Sequence, residues 1–386
     1  MKRRVALIIE TSSIYGRDLL SGIVRFMRMH DDWSVFLEQR DLAKKPPSWL
    51  ANWDGDGIIS RATTPQLVAV VEANGVPLVE LTDRWTDQKM TRVRSDDLAI
   101  GRMAAEHLLE RGFQRFGFCG FRGEAWSERR QFAFVDAVKK AGWSCDTFES
   151  PWVGRSVRTW EAEQKHLANW LSQFSRPFGI MCCNDLRGQH VLDACSNLRL
   201  AVPEDAAVIG VDNDELLCRI CVTPLSSVIP NAEGVGFHAA QLLAKMMNGE
   251  MLKPQELLIE PLGIETRQST DLIAIDDREI AAALTFIRQN ACRGISVLDV
   301  TSNVAISRSS LERKVRKYLG RTPQQEIRHV QIKRVKELLL TTDLSAERIA
   351  GLCGFEHPEY LHVVFKRITR KTTGEFRRES NPASTL

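Results

Sequence analysis

The sequence predicts an α/β domain with doubly wound parallel sheets, followed by an all-α domain that contains two helix-turn-helix motifs. Over about the first 270 of the 386 residues, short buried strands alternate with amphipathic helices, which is typical of parallel βαβ units. Residues 276–386 then repeat one motif at a spacing of 50 positions, and they contain 20 Lys and Arg against 13 Asp and Glu, a net charge of +7. The remaining residues have a net charge of −4. The basic excess suits a polyanionic partner, although a solvated helical surface would also explain it.

The strands of the first domain are predicted from short apolar runs that end in polar loops. A helix with Leu19, Leu20, Ile23 and Phe26 on one face follows the first run, and further helices are expected between the later strands. The predicted strands are 5–9, 33–37, 57–60, 76–81, 115–120, 178–183, 208–213 with its loop, 224–228 and 257–259.

Each copy of the repeated motif predicts a short helix, a tight turn and a second helix. In the first copy the turn follows Ala305 and Ser307 caps the second helix, while Leu311 and Val315 face the core. In the second copy Gly354 supplies the turn, and Leu361 and Phe365 take the inward positions. The outward side chains are the candidate DNA contacts: Ser307, Arg308, Ser309 and Arg313 in the first copy, and His357, Glu359, His362, Lys366 and Arg367 in the second.

The outward side chains leave two interpretations open. Helices placed about one DNA turn apart can read successive major grooves. Basic side chains on such helices can equally contact phosphates alone, which positions a protein without reading sequence. The histidines and Glu359 can also be ordinary solvated surface.

The repeated motif resembles the AraC-type DNA-binding domain over roughly residues 280–378. The family usually repeats glycine and proline after the second recognition helix, where this chain has Arg370 and Thr373. We therefore expect a local change in how that helix ends, and an additional phosphate contact there. The phrases that support the resemblance are Ser307-Arg308-Ser309-Ser310-Leu311, Gly320-Arg321-Thr322-Pro323, Ile349-Ala350, Gly354-Phe355, Tyr360-Leu361 and Phe365-Lys366-Arg367.

The first domain resembles the effector domain of lac-repressor-type regulators, which is akin to periplasmic sugar-binding proteins. The resemblance covers about residues 4–270 and implies two doubly wound lobes that close on a small ligand, with crossovers near residues 98, 225 and 260. The family's amino-terminal DNA-binding headpiece is expected to be missing, since the first strand begins at once. We expect a sensing domain over 1–270, a linker over 271–278 and a DNA-binding domain over 279–386. The supporting phrases are 96–112, Asn184-Asp185, Gly210-Val211-Asp212 and Pro224-Leu225-Ser226-Ser227.

In folds of this kind, ligands bind beyond the carboxyl ends of the parallel strands. Carboxylates and guanidinium groups suit paired sugar hydroxyls, and an aromatic ring suits the C–H face of a sugar. The candidate ligand contacts are therefore Glu10, Tyr15, Arg61, Asp96, Trp126, Arg130, Asn184, Asp185 and Asp212. Asp96, Asn184 and Asp212 can equally be helix caps or Asx turns, because Asp and Asn commonly end strands. Trp126 can instead pack between the lobes. Related regulators have an acidic residue in place of Arg61, which leaves the identity of the sugar open.

Catalytic and metal-binding signatures are absent from the sequence. It has no G-x-S-x-G, no G-x-x-x-x-G-K and no H-E-x-x-H, and the first strand lacks the G-x-G-x-x-G turn, so we expect neither a cofactor nor a metal. The nine cysteines follow no framework spacing, and Cys218 and Cys221 form a lone C-x-x-C. No apolar run approaches the roughly 20 residues that span a bilayer, and none near the amino end fits a signal peptide. A cytoplasmic protein is expected.

Together, the two resemblances imply a sugar-responsive, sequence-specific transcriptional regulator that binds double-stranded DNA as a homodimer. The order of its domains is similar to that of regulators of pentose utilisation, so our first hypothesis is an activator with D-xylose as the effector. A regulator that responds to another sugar or sugar derivative is the first alternative. A doubly wound enzyme with a helical interaction tail is the second, and it predicts turnover without sequence-selective DNA binding.

Overall fold

A computed structural model of the chain describes residues 2–30, 32–39, 48–82, 90–152, 159–250, 254–272, 274–275 and 277–380. The predicted linker, 271–278, lies partly outside these ranges, at residues 273 and 276. None of the helices in the described ranges combines the length and apolar character that a membrane span requires.

The first lobe contains a six-stranded sheet with helices on both faces. Its elements are β1 (Arg3–Ile8), α1 (Ile14–His30), β2 (Trp33–Leu37), β3 (Gly57–Ser60), α2 (Pro65–Asn74), β4 (Leu78–Glu80), β5 (Thr91–Ser95), α8 (Ala232–Met247) and β11 (Glu256–Ile259). The strand order is β11-β5-β4-β3-β1-β2, and every neighbouring pair is parallel. The apolar face of α1 buries Leu19, Ile23 and Phe26 and packs against α8, which confirms the predicted amphipathic helix.

The second lobe repeats this plan. Its elements are α3 (Asp97–Glu110), β6 (Phe116–Arg122), α4 (Ala125–Lys140), β7 (Cys145–Pro151), α5 (Trp160–Leu171), β8 (Phe178–Cys182), α6 (Asp185–Asn197), β9 (Ala206–Val211), α7 (Glu215–Ile220), β10 (Ser226–Ile229) and β12 (Gly263–Glu265). The strand order is β12-β10-β9-β8-β6-β7, with β12 antiparallel to β10 and the other pairs parallel. Because β8 and β9 are buried at every residue, they form the centre of a sheet that is covered on both faces. The predicted doubly wound α/β fold is confirmed.

The two lobes exchange strands and helices, so the chain crosses between them. Within the described residues the crossings follow β5 at residue 96, β10 at residues 230–231 and β11 at residues 260–262. The expectations near 98 and 260 are close to these positions. The expectation near 225 is several residues early, because β10 pairs with β9 in the second lobe before the chain leaves it.

The C-terminal domain is all α-helical, as predicted. Its helices are α9 (Arg278–Asn290), α10 (Val297–Val304), α11 (Arg308–Leu319), α12 (Pro323–Thr341), α13 (Ala346–Leu352), α14 (Pro358–Thr369) and α15 (Thr373–Ser380). Leu311 and Val315 belong to the core of the first unit, and Leu361 and Phe365 belong to the core of the second. The inward positions predicted from the repeat are therefore confirmed.

The turns of the two helix-turn-helix units also follow the sequence prediction. Ala305 and Gly354 both adopt the left-handed backbone conformation, with φ of 55° and 71°. The Ser307 hydroxyl accepts a hydrogen bond from the Ser310 amide at 3.3 Å, which caps α11. Pro358 occupies the first position of α14, where its missing N–H leaves no bond unmade.

The expected change at the end of α14 is wrong. Arg370 itself adopts the left-handed conformation, with φ of 63°, and its amide donates to the Lys366 carbonyl. Gly320 ends α11 in the same way, with φ of 67° and a bond to the Arg316 carbonyl. The two helices therefore end alike, because the helix termination motif needs a backbone conformation and does not strictly require glycine.

Candidate functional site

A cavity of about 450 Å³ opens between the lobes, at the carboxyl ends of both parallel sheets. Such a position and size are usual for a small-molecule site in a doubly wound fold. Most of the side chains that line it are polar or aromatic, and they come from both lobes. The first lobe contributes Ser12, Ser13, Ile14, Tyr15, Arg61, Leu81, Thr82, Arg94 and Ser95. The second contributes Asp97, Trp126, Arg129, Arg130, Trp152, Asn184, Asp185, Leu186, Asp212, Asp214 and Leu217.

Arg130 is the centre of the polar part of the cavity. It projects from α4 and is 4% exposed. Its Nε donates to Asp97 Oδ1 at 2.9 Å, and one terminal nitrogen donates to the Cys183 carbonyl at 2.6 Å while lying 3.9 Å from Asp212 Oδ1. Its guanidinium carbon lies 4.9 Å from the centre of the Trp126 ring. Arg130 thus joins the start of α3, the end of β8 and the end of β9 around one point.

Asp212 follows β9 with a backbone φ of 106°, a conformation that non-glycine residues rarely adopt. Such strain is common at ligand sites, where the surrounding structure holds a side chain in place. Burial raises the pKa of Asp212 from 3.8 to about 6, although the charges of Arg130 and Arg61 oppose that rise. The side chain is therefore an acceptor in the cavity whose charge depends on pH.

Asp185 lies deeper, at the start of α6. Its carboxylate accepts hydrogen bonds from the Ser227 hydroxyl at 2.6 Å and the Asp214 amide at 2.8 Å. Burial, helped by the charge of Asp212, raises the pKa of Asp185 to about 8. The preceding Asn184 caps α6 by accepting from the Arg187 amide at 3.0 Å, and it also lines the cavity. The helix cap is therefore confirmed for Asn184, and its contact with a ligand stays a prediction.

The first lobe contributes a different group. Arg61, after β3, forms an ion pair with the buried carboxylate of Glu10 and lies 4.4 Å from the centre of the Tyr15 ring. The Tyr15 hydroxyl is 2.8 Å from the hydroxyl of Ser95. Burial raises the pKa of Tyr15 to about 12. Arg61 and Tyr15 line the cavity, whereas Glu10 lies behind Arg61 and outside the lining residues. Within the described residues, Glu10 therefore contacts Arg61 and does not face the cavity.

An aromatic wall closes one side of the second lobe. The rings of Trp126 and Trp152 are 5.6 Å apart and nearly perpendicular, and Phe121 stacks on Trp152 at 5.1 Å. The Trp126 indole N–H donates to Glu124 at 3.1 Å, which fixes the ring. A wall of this kind offers an apolar face for the C–H surface of a sugar.

A second predicted ligand residue, Asp96, also lies outside the lining residues. The Asp96 carboxylate accepts from the Ala99 amide at 2.8 Å and caps α3, so it has the alternative role and does not line the cavity. Its neighbour Asp97 faces the cavity instead, where it binds Arg130 and also accepts from Arg129 at 2.7 Å. The sequence placed two adjacent aspartates at a strand end, and nothing in the pattern decided which of them turns inward. Trp152 was missed because the strand before it, β7, was not predicted.

The side chains that are predicted to contact DNA lie at the surface of the C-terminal domain. All nine side chains are exposed. Ser307 and His357 directly precede α11 and α14, and the other seven lie on these two helices. Several of them already have partners. Arg308 binds Glu312 at 3.1 Å, and His362 Nδ1 lies 3.1 Å from the Thr373 hydroxyl. The Ser307 hydroxyl caps α11 and lies 3.4 Å from the hydroxyl of Ser309. Tyr360 and Val363 are exposed apolar residues on α14 that the sequence analysis did not single out.

The spacing between the two units is fixed by α12. The Gln331 amide, on this helix, donates to the Ala291 carbonyl of the first unit at 2.9 Å and to the Gly354 carbonyl of the second at 3.1 Å. A Cβ at Gly354 would lie 2.5 Å from the Gly294 amide nitrogen, so the units touch backbone to backbone. Such contact holds α11 and α14 in one relative orientation, which reading of two grooves requires.

Comparison with known proteins identifies the same modules. Residues 4–93 match the XylR N-terminal domain, residues 105–270 the periplasmic binding protein-like domain, and residues 300–379 a helix-turn-helix domain. The xylose operon regulatory protein of Haemophilus influenzae is 30% identical, over 97% of this chain and 98% of that protein. The protein of the same description from Escherichia coli K12 is 29% identical over 97% of each chain. A solved structure described as the xylose-binding transcription activator XylR has a TM-score of 0.62 and 29% identity over 98% of each chain.

Proposed function

This chain belongs to the family of the xylose operon regulatory proteins, and on that premise we propose that a sugar in the interlobe cavity controls DNA binding by its C-terminal domain. It is a regulator of transcription, and the enzyme alternative is wrong, since the relatives that it matches along its whole length are regulators. The proposal concerns the effector, the residues that hold it and the assembly that binds DNA.

The observation that supports a sugar effector most directly is the environment of Arg130. A buried guanidinium with carboxylates at 2.9 Å and 3.9 Å offers both donors and acceptors, which is what a pair of neighbouring hydroxyls needs. The Trp126 ring stands beside it as an apolar face. We assign contact with the ligand to Arg130, Asp97, Asp212, Asp185, Asn184, Tyr15, Arg61 and Trp126.

D-Xylose is the first candidate, because xylose is named in the descriptions of the relatives and of the similar solved structure. A different sugar or sugar derivative is the second candidate, and Arg61 favours it. Arg61 puts a cation, paired with Glu10, at the wall of the cavity. We propose Arg61 as the residue through which the effector of this chain can differ from that of its relatives.

The assembly is also part of the proposal. We infer a homodimer, because two copies would place four recognition helices on tandem or inverted half-sites. We also infer that the protein is cytoplasmic and activates transcription. We also retain the boundaries 1–270, 271–278 and 279–386 for the sensing domain, linker and DNA-binding domain. Sedimentation of the purified chain measures the oligomer, and limited proteolysis measures the boundaries.

Calorimetric titration with a panel of pentoses and hexoses tests the effector. The expected result is saturable heat with D-xylose, and saturation by another sugar alone would select the second candidate. If a sample that unfolds cooperatively on heating gave no heat of binding with any sugar, the proposal that this domain senses a sugar would be wrong. A mobility-shift assay with DNA from upstream of the neighbouring genes tests the other half, with an unrelated duplex of the same length as its control.

A further inference from the structure

The carboxyl end of α3 makes contact with the DNA-binding domain. The carboxylate of its last residue, Glu110, is hydrogen-bonded to His329 Nε2 of α12 and also lies 3.5 Å from a terminal nitrogen of Arg321. The Glu110 carbonyl accepts a hydrogen bond from Arg288 of α9 at 2.6 Å. Cationic groups from both sides of the first helix-turn-helix unit thus converge on one residue of the sensor.

The charges at this contact are complementary. Burial alone would raise the pKa of Glu110, but the hydrogen bond from His329 and the charges of Lys333 and Arg321 hold it well below its usual range. Glu110 is therefore a partly buried carboxylate whose positive partners come from the other domain. A carboxylate in this position favours the docked arrangement, since separation would leave the cations without their common acceptor.

The chain between the domains packs against the same end of α3. The Ala274 amide donates to the Arg111 carbonyl at 2.6 Å. Gly112, with φ of 84°, approaches Ile275 so closely that a Cβ would lie 2.5 Å from its Cγ1. Ile275 in turn belongs to the apolar core of the first helix-turn-helix unit. The contact at Glu110 is therefore continuous with a packed connection and is not an isolated surface pair.

The opposite end of α3 lies in the ligand cavity. Its first residue, Asp97, binds Arg130 at 2.9 Å and Arg129 at 2.7 Å. The helix has 14 residues, which corresponds to about 20 Å at the rise of an α-helix. One rigid element therefore has a ligand-site carboxylate at its start and a docking carboxylate at its end.

We infer that Glu110 is a positioning residue that holds the DNA-binding domain against the sensing domain. We also infer that α3 transmits a change in the contacts of Asp97 to this interdomain contact. This inference rests on the proposed function for its ligand half, because it needs a sugar that alters the contacts of Asp97. The docking half stands without a ligand. A purely stabilising contact would predict the same docking but no influence on the response to sugar.

The test uses Glu110→Gln in the full chain, which keeps the size of the side chain and removes its charge. His329→Gln removes the partner from the other side, and Glu161→Gln, at an exposed glutamate of the same lobe, is the matched control. The first readout is the rate of proteolytic cleavage within residues 271–278 without sugar. We expect at least about tenfold faster cleavage in both contact variants, because each removes a partner from a partly buried polar contact between the domains. If both variants were cleaved at the rate of the control, the claim that Glu110 holds the two domains together would be wrong.

The second readout is the ratio of DNA affinities with and without D-xylose. We expect the wild type and Glu161→Gln to show at least about a fivefold ratio. Glu110→Gln should bind D-xylose with an affinity within about twofold of the wild type and show a ratio near one. A wild-type ratio in Glu110→Gln would overturn the role of α3. A ratio of one in the wild type itself would instead contradict the proposed function. The cleavage assay would still decide whether Glu110 holds the DNA-binding domain against the sensing domain.

Discussion

Replacing Arg130 with methionine tests the centre of the ligand cavity. Methionine keeps most of the volume and removes the donors that reach Asp97 at 2.9 Å and the Cys183 carbonyl at 2.6 Å. The variant also removes the cation that stands 3.9 Å from Asp212. Both the stability of the second lobe and the affinity for sugar are therefore expected to fall.

The two losses have different sizes. Breaking a buried ion pair costs about 3–5 kcal/mol, and the lower end applies here because Asp97 keeps its bond to Arg129. A hydrogen bond between a charged group and a ligand contributes about 1.5–3 kcal/mol, so the affinity for sugar should fall by about 10- to 150-fold. Urea unfolding measures the first loss, and calorimetric titration with D-xylose measures the second.

Arg176→Met is the matched control. Arg176 also pairs with an aspartate, Asp205, at 3.2 Å, but its side chain is 53% exposed at the surface of the same lobe. It should change the free energy of unfolding by no more than about 1 kcal/mol and leave the affinity for sugar unchanged. If Arg130→Met does not fold, Arg130→Lys keeps the charge but not the planar fork, and should still weaken binding. Sugar affinity equal to the wild type in a folded Arg130 variant would refute the assignment of this side chain to the ligand site.

Three further predictions concern pH, backbone strain and DNA. Burial raises the pKa of Asp185 to about 8, so the folded protein holds a proton that the unfolded chain releases above about pH 4. The ionisation of Asp185 therefore lowers the free energy of unfolding as pH rises from about 4 to 8. In urea titrations at a series of pH values, Asp185→Asn should make the free energy of unfolding fall less steeply with pH. The same dependence on pH in the variant and the wild type would count against the raised pKa. Arg370→Gly should stabilise the C-terminal domain by about 0.5–1 kcal/mol, because glycine adopts a φ of 63° without strain, whereas Arg367→Gly inside α14 should destabilise it by about 1 kcal/mol; equal effects in thermal unfolding would contradict the strain at Arg370. Arg313→Ala should weaken binding to promoter DNA by about 1–3 kcal/mol if the side chain reads a base and leave calorimetric sugar binding intact, and a uniform loss on all duplexes would assign it to phosphate.

The C-terminal domain could be predicted almost completely because its signals are local. Capping by Ser307 and the inward spacing of Leu311 and Val315 are set within one helix, so the sequence alone contains the information. The end of α14 was mispredicted because glycine is only the commonest residue in the left-handed conformation. At Arg370 the helix ends in that conformation on an exposed residue that does not favour it, with its amide bonded to the Lys366 carbonyl.

The sensor was predictable where strands are buried on both faces, and less so elsewhere. β5 alternates buried residues with Arg92 and Arg94, and β7 is a polar strand at the edge of its sheet, so neither shows a continuous apolar run. The choice between Asp96 and Asp97 depends on the direction in which the chain leaves β5, which is a tertiary property. The contact at Glu110 joins residues more than 170 positions apart and has no local signal.

The most direct test of the account is the affinity for promoter DNA, measured by fluorescence anisotropy with and without saturating D-xylose, in the wild type and in Arg130→Met. Linkage between the cavity and the C-terminal domain predicts that the sugar changes the wild-type affinity by at least about fivefold and leaves Arg130→Met unchanged at the same concentration. An identical DNA affinity with and without sugar, in a wild-type sample that calorimetry shows to be loaded, would contradict the claim that the cavity controls DNA binding.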